Sequence, residues 1–463
     1  MSVLSGCSSL NHYRDVEKSL LAGNPDQADQ LVRKAKKDYG QRNRLLYLMD
    51  RGMTLHLAGR YQESNLLLED ADTLIEDFYT TRIRDEVSAI LLSETRLPYQ
   101  GDPYEQVMVN VLKALNYAVL HDLPAALVEA RRIDHRLNLI GDSVESDEYH
   151  EDPFARYLTG LLYESSGDSN NAFIAYRKAE EGYRLAESWS HVAMPPLLRD
   201  DLLRTSKAIG LTEEFHAYQL AYPEALEPLR NQDDMAQVVV VSLNGRGPTK
   251  KDLFLDVPIS LDALQLIALT KNGLGRTSRR TRIADSVLYG LQGDIARVAL
   301  PRVLSQTSPV SHSIIRVDNG VESFQKNTQR MYDVNAVAKK NLDDGYTALA
   351  IRAVARAAMK MAAAVSIGYG ARSAVNKKSQ AVVGLAAASI AKIFAIATEE
   401  ADIRTWRTLP GEFQVARLWV PPGTYSLTVD SYDPRGQALP GQLTQQVTLK
   451  SGDTHFLTQR ILR

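Results

Sequence analysis

Intramolecular disulfides are excluded at once, because the 463 residues contain a single cysteine, Cys7, and the fold must rest on packing. Cysteine pairs for structural zinc are missing too, and the nine histidines are scattered with no His-Glu-x-x-His pair. Neither a metal nor any other cofactor is expected. There is no Gly-x-Ser-x-Gly elbow and no phosphate-cradling P-loop. Gly273-Leu-Gly275 and Gly368-Tyr-Gly370 begin like dinucleotide fingerprints but lack the third glycine and a preceding strand. Ser389-Ile-Ala-Lys392 matches the Ser-x-x-Lys of penicillin-binding enzymes, yet it sits in an apolar helical pattern without the companion motifs. No catalytic constellation is left, so the chain reads as a non-enzyme. Charge of one sign is lacking as well: 54 Lys and Arg against 56 Asp and Glu leave a net charge of −2, which gives no reason to expect nucleic acid. Residues 381–397 are almost continuously apolar, but Lys392 interrupts them and they fall short of the roughly 20 residues that span a bilayer. Phenylalanine is scarce beside tyrosine, 9 against 21, which suits half-buried helix seams where a ring packs and its hydroxyl reaches water.

What is present begins with length, which sets a prior of two or three domains, and with an ordinary globular composition of 44% hydrophobic and 24% charged residues. At the amino terminus, Leu4-Ser5-Gly6-Cys7 resembles the lipobox of bacterial lipoproteins: a large apolar residue, two small ones, then the cysteine whose thiol takes a diacylglyceryl group. Acyl chains on Cys7 would anchor the protein, at about 0.8 kcal/mol per buried CH₂. Ser8, which is not aspartate, implies the outer membrane in such lipoproteins. Only Met1-Ser2-Val3-Leu4 stand ahead of Ser5, so the basic and apolar leader that processing requires is expected upstream of them. The alternative is a chance match in a short tether, residues 1–11.

Residues 12–222 alternate helical patterns with short polar turns. Gly160, Tyr163, Gly167-Asp168, Ala172, Tyr176 and Ala179 have the spacing of a tetratricopeptide repeat, in which small residues let two helices touch. The same register fits Gly52, Leu55, Gly59, Tyr61, Ser64, Leu68 and Ala71. It fits Ala114, Tyr117, Asp122, Ala126 and Ala130 less closely, and Gly23, Asn24, Ala28, Val32 and Ala35 loosely. A fifth, degenerate pair surrounds Gly210, and residues 77–105 read as an insertion. An irregular helical bundle is the alternative. In a solenoid of such pairs the first helices line the concave face, here Met49, Met53, Val111, Leu115, Tyr157 and Leu161. That face is apolar and must be covered. The expectation is an apolar helix, supplied by a protein partner or by this chain.

After Pro223 and Pro228 the pattern changes. Residues 236–243 form a β-branched run closed by Asn244-Gly245, and 253–259 and 314–317 read as further strands. Helical patterns return at about 333–365 and 380–400, with Arg352, Arg356 and Lys360 along one edge of an alanine-rich stretch. Strands at 412–419, 424–431, 442–449 and 454–461 follow, separated by Pro421-Pro422-Gly423, Asp433-Pro434-Arg435-Gly436 and Ser451-Gly452-Asp453. The fold class expected is α+β, mainly α: a tetratricopeptide-like α-solenoid, then a domain over 236–463. That domain has a small antiparallel sheet or sandwich, made of strands at about 236–259 and 412–461, and a helical insertion over about 260–400 ending in an alanine-rich hairpin.

Ala348-x-x-x-Arg352-Ala353-x-x-Arg356, Thr398-Glu399-x-Ala401-Asp402-x-Arg404-x-Trp406-x-x-Leu409-Pro410 and Pro422-Gly423-x-Tyr425 resemble a family of uncharacterised bacterial lipoproteins with tetratricopeptide-like amino-terminal halves. The resemblance implies an envelope location and acylation at Cys7, and it brings no catalytic residues. Arg276, Arg279, Arg280 and Arg282 are a candidate anion site for lipid headgroups or envelope polymer, or a solvated loop. The function expected is a lipid-anchored envelope scaffold that binds other envelope proteins or its own subunits, with a homo-oligomer possible. Two other readings stand beside it: a self-assembling subunit, and an enzyme with a site between the halves near Arg352, Arg356, Asp402 and Arg404.

Overall fold

The computed structural model describes residues 12–89, 94–143, 152–226, 234–259, 295–373 and 400–462. Cys7, the cluster Arg276, Arg279, Arg280 and Arg282, and the apolar stretch 381–397 lie outside them.

The first half is a run of helices: α1 (Tyr13–Leu21), α2 (Pro25–Lys34), α3 (Lys36–Tyr39), α4 (Arg44–Leu57), α5 (Tyr61–Ala89), α6 (Pro103–Val119), α7 (Leu123–Ser143), α8 (Pro153–Ser165), α9 (Ser169–Ser190), α10 (Pro196–Ala208) and α11 (Thr212–Ala221). They pack as the pairs α1–α2, α4–α5, α6–α7, α8–α9 and α10–α11, each pair stacked on the next. One turn chemistry recurs in every pair. The amides of Gly23 and Asn24 bond back to Leu20 and Ser19, and the same two bonds recur at Gly59-Arg60, His121-Asp122, Gly167-Asp168 and Gly210-Leu211. This is the Schellman stop, which needs a left-handed residue just past the helix. Gly23, Gly59, Gly167 and Gly210 supply it, and in the third pair His121 takes φ 59° in its place.

Close contact within the pairs is enforced by glycine. A Cβ on Gly52 would lie 2.5 Å from Leu68 Cδ2, and one on Gly160 2.5 Å from Tyr176 Cδ1. Ala172, Tyr176 and Ala179 are fully buried beside them. The insertion expected at residues 77–105 is partly helix, because α5 runs on to Ala89.

The second half supplies β1 (Ala236–Asn244), β2 (Thr249–Pro258), β3 (Ile295–Leu304), β4 (His312–Asp318), β5 (Ser323–Asn327), β6 (Gln329–Asp333), the long helix α12 (Val334–Ser373), β7 (Glu412–Val420), β8 (Gly423–Tyr432), β9 (Leu443–Leu449) and β10 (Thr454–Ile461). One sheet has the order β10-β1-β7-β6, with β1 parallel to β10 and antiparallel to β7, so β1 is central. A second has the order β5-β4-β8-β9. Within the expected helical insertion, the strand expected at 314–317 lies in β4, and residues 295–304, 323–327 and 329–333 form the strands β3, β5 and β6 where helix was expected.

Alternation along the central sheet sets the layers. Val238, Val240, Ala416, Val420 and Leu457 face Ile315, Val317, Leu427 and Val429 of the second sheet across a sandwich core. Val239, Val241, Leu243, Phe413, Val415 and Phe456 point the other way and join the helical pairs in one continuous core. Phe413 stacks on Phe154 of α8 with ring centroids 4.6 Å apart. Burial at this seam stabilises by about 1.5–3 kcal/mol per large apolar side chain. The antiparallel pair β2 and β3 forms its own two-stranded sheet and lays Ala296, Val298 and Leu300 on Ala353, Ala357 and Ala358 of α12.

Candidate functional site

The seam between the helical pairs and the central sheet carries a ladder of buried acids, one on or capping the first helix of successive pairs. Asp50 on α4 accepts from Tyr13 Oη (2.5 Å) and Tyr39 Oη (2.7 Å), and from Thr408 Oγ1 of the second half (2.8 Å). Glu105 on α6 accepts from the backbone amide of Trp406 (2.7 Å), Thr405 Oγ1 (3.0 Å), Tyr104 Oη (3.2 Å) and Tyr99 Oη. Asp152 caps α8 through the Ala155 amide (2.9 Å) and accepts from Tyr332 Oη of β6 (2.5 Å). Asp201 on α10 accepts from Arg417 Nη1 of β7 (2.7 Å) and from Tyr157 Oη (2.9 Å).

Each rung therefore joins a helix to a residue far along the chain. Burial pushes the carboxyls of Asp50 and Asp152 up to about 6, and the hydroxyl and amide donors pull back against it. Burial raises Glu105 as well, with Asp102 adding to the push and Lys250 opposing it. Cations meet the ladder at Asp201, where Arg204 Nη2 donates beside Arg417 at 2.6 Å; Arg417 also bonds Gln237 Oε1 (2.5 Å) and pairs with Glu164 (2.9 Å). These contacts satisfy buried polar groups and fix the orientation of the two halves.

The six concave-face residues must be reassigned. Met49, Met53, Val111, Leu115, Tyr157 and Leu161 are all at most 1% exposed, inside the core shared with Phe413, Val415, Phe456 and Trp406. They are covered by this chain's own sheet and the segment around Trp406, so no partner can reach them. The cover is β-structure and loop where a helix was expected, because the alternating face of β1, β7 and β10 offers the apolar width required.

The residues offered for an interdomain enzyme site have structural partners. Arg404 grips Asp402 with two bonds of 2.8 and 2.6 Å and reaches Asn43 Oδ1 (3.1 Å) and the Leu97 carbonyl (3.0 Å), tying this segment to the first half. Arg352 donates to the Ala348 carbonyl of its own helix (3.3 Å), and Arg356 is buried on α12. Among the described residues no helix is long and apolar enough to cross a membrane.

A second polar network lies between α5, α6 and α7, where buried Lys113 meets Asp72 (3.3 Å), Glu129 (3.0 Å) and Glu69. Arg132 and Arg136 close it from α7 through Asp72 at 3.1 and 2.8 Å. Asp50, Glu105, Asp152, Asp201 and Arg417 were not singled out from the sequence. The available signal was an acid inside an otherwise buried stretch, as in Leu48-Met49-Asp50, and Asp152-Pro153 as a helix start.

No protein-family model matches the chain, and the search of curated proteins gives no match. Among solved structures it is similar to the crystal structure of MamA, with 16% identity over 46% of this chain and 93% of that one and a TM-score of 0.29. It is also similar to the MamA RS-1 ArsTM double mutant, with 14% identity over 50% of this chain and 99% of that one and a TM-score of 0.30. Superpositions this loose give no ground for transferring a function.

Proposed function

We propose that the chain is a non-enzymatic scaffold of the bacterial envelope, anchored through lipid on Cys7, that binds protein partners on the outer surface of its helical pairs. One observation carries the reading. Leu66, Val128 and Ile174 are 70, 41 and 53% exposed, and each occupies the second turn of the second helix in its pair. Large apolar side chains repeated in one register on stacked pairs make an extended docking strip. The inner face is already filled, which leaves this side for partners. Acids placed for chemistry would need open access, whereas those of the seam are sealed behind tyrosines and backbone amides.

The test is chemical cross-linking in envelopes with the wild type and with Leu66→Asp/Ile174→Asp. The scaffold reading expects unchanged melting and loss of the cross-linked partner; an unchanged cross-link pattern contradicts it. Mass spectrometry of the mature amino terminus tests the anchor: diacylglyceryl on Cys7 is expected, and a free thiol contradicts it. The self-assembly reading draws on the antiparallel pair β2 and β3, a two-stranded sheet with Phe254 and Ile295 55 and 63% exposed. Sedimentation of the protein separates the two, because a scaffold for other proteins stays monomeric.

A further inference from the structure

Where α1 and the end of α4 meet β10, two adjoining cavities share Leu20, Arg460 and Leu462 in their walls. The larger, about 540 Å³, is lined by Leu21, Leu57, Tyr61, Leu443 and Ile461 and is mostly apolar. The smaller, about 210 Å³, is lined by Arg14, Arg246, Arg407 and Arg460 against a single acid, Glu17. Glu17 is already paired with Arg246 at 2.8 Å. We propose that these joined cavities bind a small amphipathic anion, its acidic head held by Arg460 and Arg407 and its aliphatic body in the leucine-lined chamber.

Arg460 is the reason to expect an anion. Its Nη2 donates to the Leu409 carbonyl at 3.0 Å, while Nε and Nη1 are buried with no acceptor. A buried guanidinium with two idle donors is costly unless a ligand supplies the acceptors. Arg417 is the contrast, since on the same face of the sheet it has Asp201, Glu164 and Gln237. Burial lowers Arg460 to about 9, and among the described residues no acid opposes the shift. The other titratable groups close by are spoken for. His56 bonds Asn116 Oδ1 at 2.6 Å and is lowered to about 4 by burial and by Arg460, so it stays neutral. Asp50 is sealed by Tyr13, Tyr39 and Thr408. Arg407 lies over the Tyr13 ring at 4.9 Å, which fixes its place in the smaller cavity. A fork of guanidinium donors beside apolar walls suits a carboxylate or phosphate carrying a short alkyl chain.

Calorimetric titration of the full chain with octanoate, octyl phosphate, octanol and inorganic phosphate tests this. Octanoate or octyl phosphate should bind at least about tenfold more tightly than octanol and than inorganic phosphate, since head and chain each contribute. The stronger of the two identifies the head as carboxylate or phosphate. Arg460→Gln should abolish that preference while leaving the melting temperature equal or higher, because it removes an unpaired buried charge. Leu57→Trp, which fills the larger chamber, should weaken octanoate and leave inorganic phosphate unchanged. Octanol binding as tightly as octanoate, or Arg460→Gln binding octanoate like the wild type, overturns the proposal.

Discussion

Asp201 of α10 and Arg417 of β7 form a fully buried ion pair, Oδ1 to Nη1 2.7 Å, across 216 residues of sequence. The pair locks the last-but-one helix of the solenoid to the central sheet; Tyr157 and Arg204 also donate to Asp201, Arg417 donates to Gln237, and Glu164 is its second ion-pair partner. Arg417→Ala leaves Arg204 as the remaining cation beside Asp201 and Glu164, and a loss of about 1.5–3 kcal/mol is expected from urea denaturation. A loss below 1 kcal/mol would mean the halves are held without it.

Glycine contact in the pairs gives a second test. Gly160→Ala pushes a methyl into the Tyr176 ring and should cost about 1–3 kcal/mol. Gly345→Ala, on the exposed side of α12 with nothing within 4 Å, should stabilise by about 0.5–1 kcal/mol through helix propensity. Equal effects would show that the first glycine is not a packing contact.

The seam also sets a pH response. Asp50 and Asp152 titrate near 6 in the folded chain, above the usual carboxylate range near 4. Between those values the folded state keeps protons that the unfolded chain has released, so their contribution to stability falls as pH rises from about 4 to about 6 and is flat above. The difference in unfolding free energy between wild type and Asp50→Asn should therefore shrink from pH 4.5 to pH 7.5. A difference that grows with pH would mean the ionised carboxylate is the stabilising form.

The helical pairs were legible because their requirements are local. Gly52, Gly160 and Ala172 are small where helices touch, and Gly23, Gly59, Gly167 and Gly210 mark the stops; His121 hid the third stop by adopting the same backbone without being glycine. Strand β1 was legible as an unbroken β-branched run, buried along its whole length. Strands β3 and β5 were not, since Pro301 and Arg302 interrupt one and Ser323–Asn327 is largely polar and exposed. The acid ladder escaped notice for a different reason. Asp50 and Thr408 are 358 residues apart, and nothing in either neighbourhood names the other.

The chain's own second half closes the inner face of the helical pairs. Alkylation of single cysteines in a Cys7→Ser background measures this directly, with Met53→Cys and Leu161→Cys on the inner face and Leu66→Cys on the outer. Under native conditions the inner thiols should react at least about a thousandfold more slowly than the outer one, since labelling then waits on opening of the core. Inner thiols that react as fast as Leu66→Cys would show an open face and contradict the account.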